Sequence, residues 1–338
     1  MPIFFDNVKG IKRKVCFFVL MISISYKTKQ ILLVLIKLFI VCGAVFFLLS
    51  ELKQKQEGVN WNVMVDRFSF ITFTGILSMS VLNWVLECLK WKNLVSSFTK
   101  ITFSKAVEQS LGSLTASIFT PNRVGEYAAK CLYYSKEKTK KIIFLNFLGN
   151  STQMLVTVFF GIIGVLFLFI LSPLFGDYES FENSYLFWLP ILLILGILIF
   201  IFKIKKWSFY GYSIEHLWGR IRLFPARKHF ANFQYSVLRY LLFSHQFYVL
   251  LLIFHVEISY SDAILTIFTM YFLASIIPTI HLMDVVIKGS IAVFLFGKLG
   301  VDEWIIVSIT TLMWLMNLVL PVLIGTFYVV KYKPLNIS

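Results

Sequence analysis

Long apolar runs, broken by short polar segments, dominate the chain. Runs at roughly 31–50, 68–89, 142–172, 186–202, 237–256 and 304–330 reach or approach the ~18–20 residues that carry a helix across a bilayer. Helix is predicted for each, because a segment in lipid must satisfy its own backbone hydrogen bonds. Two further apolar segments, 104–134 and 262–300, differ. Each is interrupted by proline and then carries charge: Pro121 in SIFTPNRVGEYAAK (117–130) and Pro278 in IPTIHLMDVVIKGS (277–290). Proline removes an intrahelical hydrogen bond and clashes with the preceding turn. Each segment therefore reads as two half-helices meeting at a break. The expected fold is all-α, a polytopic membrane helix bundle of about six full spans plus two broken re-entrant helical hairpins.

Residues 68–172 and 237–330 share one order: span, broken hairpin, span. If each hairpin returns to the side it came from, the first enters from the cytoplasm and the second from outside. That is the layout of an inverted repeat, with a substrate site near the midplane between the broken helices. A single transmembrane domain over 31–334 is expected, preceded by a cytoplasmic segment at 1–30. Within that segment, Val15–Ser25 is too short to span, Met21 offers an alternative translation start, and no function is assigned.

Composition agrees with the pattern. The chain is 58% hydrophobic and only 14% charged, against about 25% charged in soluble domains. The net charge of +15 raises nucleic acid as a partner, but the distribution of the basic residues argues against it. With the N-terminus inside, 23 basic residues fall on cytoplasmic stretches and four outside: Lys53, Lys55, Arg67 and Lys298. Both termini are expected in the cytoplasm and the protein in the cytoplasmic membrane. Cys16, Cys42, Cys88 and Cys131 are scattered singly, and the five histidines form no metal-ligand pattern. No metal, cofactor or catalytic motif is expected.

The breaks match in chemistry. Glu126 precedes Lys130, and Asp284 precedes Lys288, in each case by four residues, which places acid and base on one helix face. A charge at the bilayer centre costs roughly 2.5–3.5 kcal/mol on insertion scales, so such residues are site candidates. Arg123, Glu126, Lys130, Asp284 and Lys288 form the expected substrate-binding set. Thr120, Pro121, Gly125 and Pro278 form the helix breaks. Lys37 and Arg239, near span ends, are read as snorkelling to the surface, and Glu87 as a local ion pair with Lys90. Asn146, Asn150 and Gln153, and likewise Asn317 with Pro321, are read as interhelical hydrogen bonding.

TPNRVGEYAAK resembles the TP-x-x-x-GE signature of the lysylphosphatidylglycerol synthase transmembrane region, or flippase-like, family; the resemblance rests on Thr120, Pro121, Gly125 and Glu126 and covers about 30–330. The polar LNWVLECLKWKNL (82–94) adds to it. The family's glycine-rich second motif is replaced here by IPTIHLMDVVIKGS, with Asp284 in the place of a glutamate. No counterpart of the synthases' soluble acyltransferase-like domain is found in the sequence, so the resemblance implies the translocating module rather than an enzyme. The leading expectation is a flippase-like transporter of an anionic, aminoacylated or polyprenyl-linked lipid, with a membrane phospholipid as partner. Arg123 would engage its phosphate, and Glu126 and Asp284 would hold the cations or an amino headgroup. Two alternatives stand beside it. One is a membrane scaffold that uses the basic loop 203–230. The other is a membrane-embedded enzyme working through Glu87, Glu108 and Glu126.

Overall fold

The computed structural model describes residues 69–118, 120, 123–171, 208–209, 212–277 and 284–332. Apart from a two-residue β-ribbon (Ser208–Phe209 with Tyr212–Ser213), every described element is helical. Among the described residues, four helices are long and apolar enough to cross a membrane: Phe70–Val95, Lys136–Leu168, Ala226–Ile253 and Glu303–Lys331. They correspond to four of the expected spans; those at 31–50 and 186–202 lie outside the described residues.

The first span, α1 (Phe70–Val95), starts where Ser69 accepts a hydrogen bond from the Thr72 N–H at 3.2 Å. It runs to Val95 rather than ending near 89, so Lys90 and Lys92, expected in a cytoplasmic stretch, belong to the helix. The broken segment that follows is α2 (Phe103–Ser117) and α3 (Val124–Cys131). A 3-10 turn at Lys136–Lys138 leads into the second span, α4 (Thr139–Leu171). The short amphipathic α5 (Ile214–Leu223) precedes α6 (Ala226–Ile253). The second broken segment is α7 (Tyr260–Ile276) and α8 (Asp284–Gly297). The last span consists of α9 (Glu303–Trp314), a π-helical turn (Leu315–Val319) and α10 (Leu320–Lys331).

Both expected interruptions are present. Pro121 and Pro278 themselves lie outside the described residues. Ile277, just before Pro278, has φ −86° and ψ 113°, the extended backbone a following proline imposes. Proline also accounts for the π turn. Pro321 has no N–H for the carbonyl of Asn317, and the Trp84 indole N–H supplies a donor to that carbonyl at 3.0 Å.

Packing between the spans relies on small residues and leaves large apolar side chains outside, as expected of helices in lipid. Phe70, Phe159, Phe294 and Phe327 are all exposed. A side chain at Gly325 would meet the Leu111 carbonyl at 2.3 Å, so only glycine lets α10 approach α2 this closely. Gly161 and Gly164 allow the corresponding approach of α4 to Phe272 and the Leu265 carbonyl on α7. Contacts fix the directions. Ile76 and Ser80 meet Gln246, Asn83 and Glu87 meet Arg239, and Asn93 meets Lys228, so α1 and α6 are antiparallel. The pairs α2–α10 and α4–α7 are antiparallel as well.

Candidate functional site

Spans α1 and α6 are amphipathic in the reverse sense of a soluble helix: their polar stripes face inward. On α1 the buried stripe is Ser80, Asn83, Glu87 and Lys90; on α6 it is Asn232, Ser236, Arg239 and Gln246. Spacings of three, four and seven residues place each set on one face. Where the stripes meet, Arg239 donates through Nη1 to Glu87, and its Nε reaches Asn83 Oδ1 at 3.1 Å. Lys90 Nζ lies 2.8 Å from the same Glu87 carboxylate. A neutral relay continues away from this ion cluster. Asn83 donates to Asn317 Oδ1 at 3.0 Å, and Asn317 donates to Gln246 Oε1 at 2.9 Å.

A second buried pair stands beside it. Lys130 donates to Glu126 Oε1 at 2.6 Å and to Asn146 Oδ1 at 2.8 Å, and sits 4.1 Å from the centre of the Trp91 ring. Both charges also suit the dipole of α3, acid in its first turn and base in its last. The Trp91 indole N–H and the Tyr134 hydroxyl both donate to Gln109 Oε1 at 2.7 Å. Burial pushes the Tyr134 phenol up to about 12.

Local geometry explains the signature around the first break. The Thr120 hydroxyl donates to the Ser117 carbonyl at 2.7 Å and accepts the Gly125 N–H at 2.9 Å, folding the break over the end of α2. A Cβ at Gly125 would lie 2.8 Å from the Thr120 side chain, so threonine and glycine are required together. Arg123 takes a left-handed conformation, φ 59°, unusual for a residue with a side chain and a form of strain concentrated at functional sites.

Between the two breaks lies a cavity of about 440 Å³. Arg123 borders it from the first break, and Asp284 and Lys288 from the second. Lys288 donates to Asp284 Oδ2 at 2.5 Å. Lys90, Arg239, Asn150, Gln153 and Asn317 supply the rest of the polar wall; Trp84, Phe243, Met270, Trp314 and Leu318 are among the apolar lining. Four cationic side chains and one carboxylate therefore border the space among the described residues.

Of the expected set, Arg123, Asp284 and Lys288 are brought together around the cavity. Glu126 and Lys130 are paired but stand behind its lining. Among the helix-break residues, Thr120 and Gly125 shape the first turn. Arg239 does not snorkel: it is 7% exposed and bound to Glu87, which corrects the surface reading. The Glu87–Lys90 pair is present, but Arg239 shares it, so it also joins two spans. Asn146 and Asn317 do bond across helices, as does Gln153, whose Nε2 donates to the Ser236 carbonyl at 3.2 Å. Of the carboxylates weighed for enzymatic chemistry, Glu87 and Glu126 are committed to cations, and Glu108 pairs with the exposed Lys105 at 3.0 Å. The inward polar stripes of α1 and α6 were the sequence signal for Lys90 and Arg239 as wall residues. Among the described residues no group of His, Cys, Asp and Glu is arranged to hold a metal ion.

The sequence model of the lysylphosphatidylglycerol synthase TM region matches residues 34–325. A search among curated proteins returned no significant match.

Proposed function

The chain belongs to the lysylphosphatidylglycerol synthase TM-region family, and from that premise we propose that it moves a phospholipid across the membrane, the charged headgroup travelling through the central cavity. One observation carries this reading: both breaks, distant in sequence, contribute charged side chains to one cavity whose wall also carries an apolar portion, Trp84, Phe243, Met270, Trp314 and Leu318 among it. A lipid needs both kinds of surface, one for its headgroup and one for its glycerol and upper acyl chains.

An inverted repeat supplies the mechanism. Thr102 caps α2 and Ser259 caps α7, each through its side-chain oxygen. The break, the acid and the base then follow in the same order in both halves. The corresponding spans α1 and α6 run antiparallel, and each half's last span packs on the first hairpin arm of the other. Rocking one half against the other would expose the cavity alternately to the two faces. On this reading the protein sits in the cytoplasmic membrane with both termini inside.

The test is flux of a fluorescent phospholipid in proteoliposomes containing the full-length protein. Arg123→Ala and the double change Asp284→Asn, Lys288→Met are expected to lower flux at least tenfold. Undiminished flux in both, with the proteins folded, would remove the cavity from the mechanism.

A further inference from the structure

We propose that Lys90 and Arg239 form an anion seat in the cavity wall, and that it takes the phosphate of a headgroup with no compensating amine, as in phosphatidylglycerol. This deepens the translocation reading and rests on it for the lipid source of the phosphate.

Charge is mismatched around Glu87. Lys90 and Arg239 are 2% and 7% exposed, yet both border the cavity. They come from different halves of the chain and share one carboxylate, Glu87, which is not part of the lining. The neighbouring Lys130 has its own carboxylate, Glu126, so it relieves nothing. Three buried cations thus face two buried carboxylates. Buried charge is tolerated when it is matched and its hydrogen-bonding capacity is filled.

That capacity is not filled. The Lys90 ammonium has three protons, and Glu87 is its acceptor among the described residues. Arg239 uses Nε on Asn83 and Nη1 on Glu87 and Gln153, while Nη2 finds no acceptor among them. A phosphate provides one negative charge and oxygen acceptors for both groups, and guanidinium matches its geometry. A headgroup amine has a poorer prospect. The carboxylate bordering the cavity is Asp284, and Lys288 already holds it. The apolar remainder of the wall favours a lipid over a free ion.

The purified full-length protein would be titrated with short-chain phosphatidylglycerol, short-chain phosphatidylcholine and inorganic phosphate, with binding read from tryptophan fluorescence, since Trp84 lines the cavity. Phosphatidylglycerol is expected to bind at least tenfold tighter than phosphatidylcholine. Gln153→Glu places a second carboxylate beside Arg239, whose Nη1 is 3.4 Å from Gln153 Oε1. This near-isosteric change balances the charge but gives up the Gln153 Nε2 donation to the Ser236 carbonyl, so thermal unfolding checks that the protein stays folded while the preference is expected to disappear. Lys90→Met should weaken phosphatidylglycerol binding about tenfold and leave the Glu87–Arg239 pair intact. A preference that survives both changes in folded protein would overturn the seat. Inorganic phosphate binding as tightly as phosphatidylglycerol, with the same sensitivity, would keep the seat but overturn the lipid source. Lipid flux measured in parallel separates the two proposals. Flux with no Lys90-dependent preference overturns the seat alone, and preference without flux overturns translocation alone.

Discussion

At the residue scale, the stability of the site depends on matched charges. Lys130→Met leaves the buried Glu126 carboxylate without its cation and is expected to cost about 3–5 kcal/mol in an unfolding titration in detergent. Adding Glu126→Gln should recover most of that loss, because the penalty belongs to the orphaned charge and not to the missing attraction. The Glu126–Lys130 and Asp284–Lys288 pairs were legible in the sequence, since four-residue spacing on a helix states the geometry directly. Arg239 was not. The apolar run starts near 237, but the helix begins at Ala226 and places Arg239 more than three turns inside. Arg227, Lys228 and Asn232 hide that start in any reading by hydropathy alone.

At the element scale, glycine and proline shape the breaks and the last span. Gly125→Ala would drive a methyl group to 2.8 Å from Thr120, and thermal unfolding should show a loss of about 1–3 kcal/mol. Pro321 and Trp84 are coupled through the Asn317 carbonyl. Trp84→Phe should therefore cost more in the natural protein than in Pro321→Ala, whose restored N–H can serve that carbonyl. A double-mutant cycle should give a coupling of about 1 kcal/mol. The half-helices were predictable because proline acts locally. The π turn was not, because its compensating donor comes from another span, 233 residues away in sequence.

For the molecule as a whole, the two halves interlock through α2–α10 and α4–α7. A Cβ at position 112 would lie 3.5 Å from the Tyr328 Cβ, within the range a disulfide accepts, once the Tyr133 hydroxyl, 2.7 Å from the same point, swings aside. In a background without the natural cysteines, Gly112→Cys with Tyr328→Cys is expected to cross-link on mild oxidation. If rocking of the halves drives transport, the oxidised protein should lose lipid flux and regain it on reduction. The shared Glu87 also bears on how the chain is made. Its two cations lie three and 152 residues downstream. At a ribosomal pace of about 5–20 residues per second, Arg239 is synthesised roughly 8–30 s after Glu87. During that interval Lys90, one turn along the same helix, is the counter-ion already at hand when α1 enters the bilayer. Glu87 can thus enter the bilayer already neutralised by Lys90, and the arrival of α6 adds Arg239 to complete the three-way cluster.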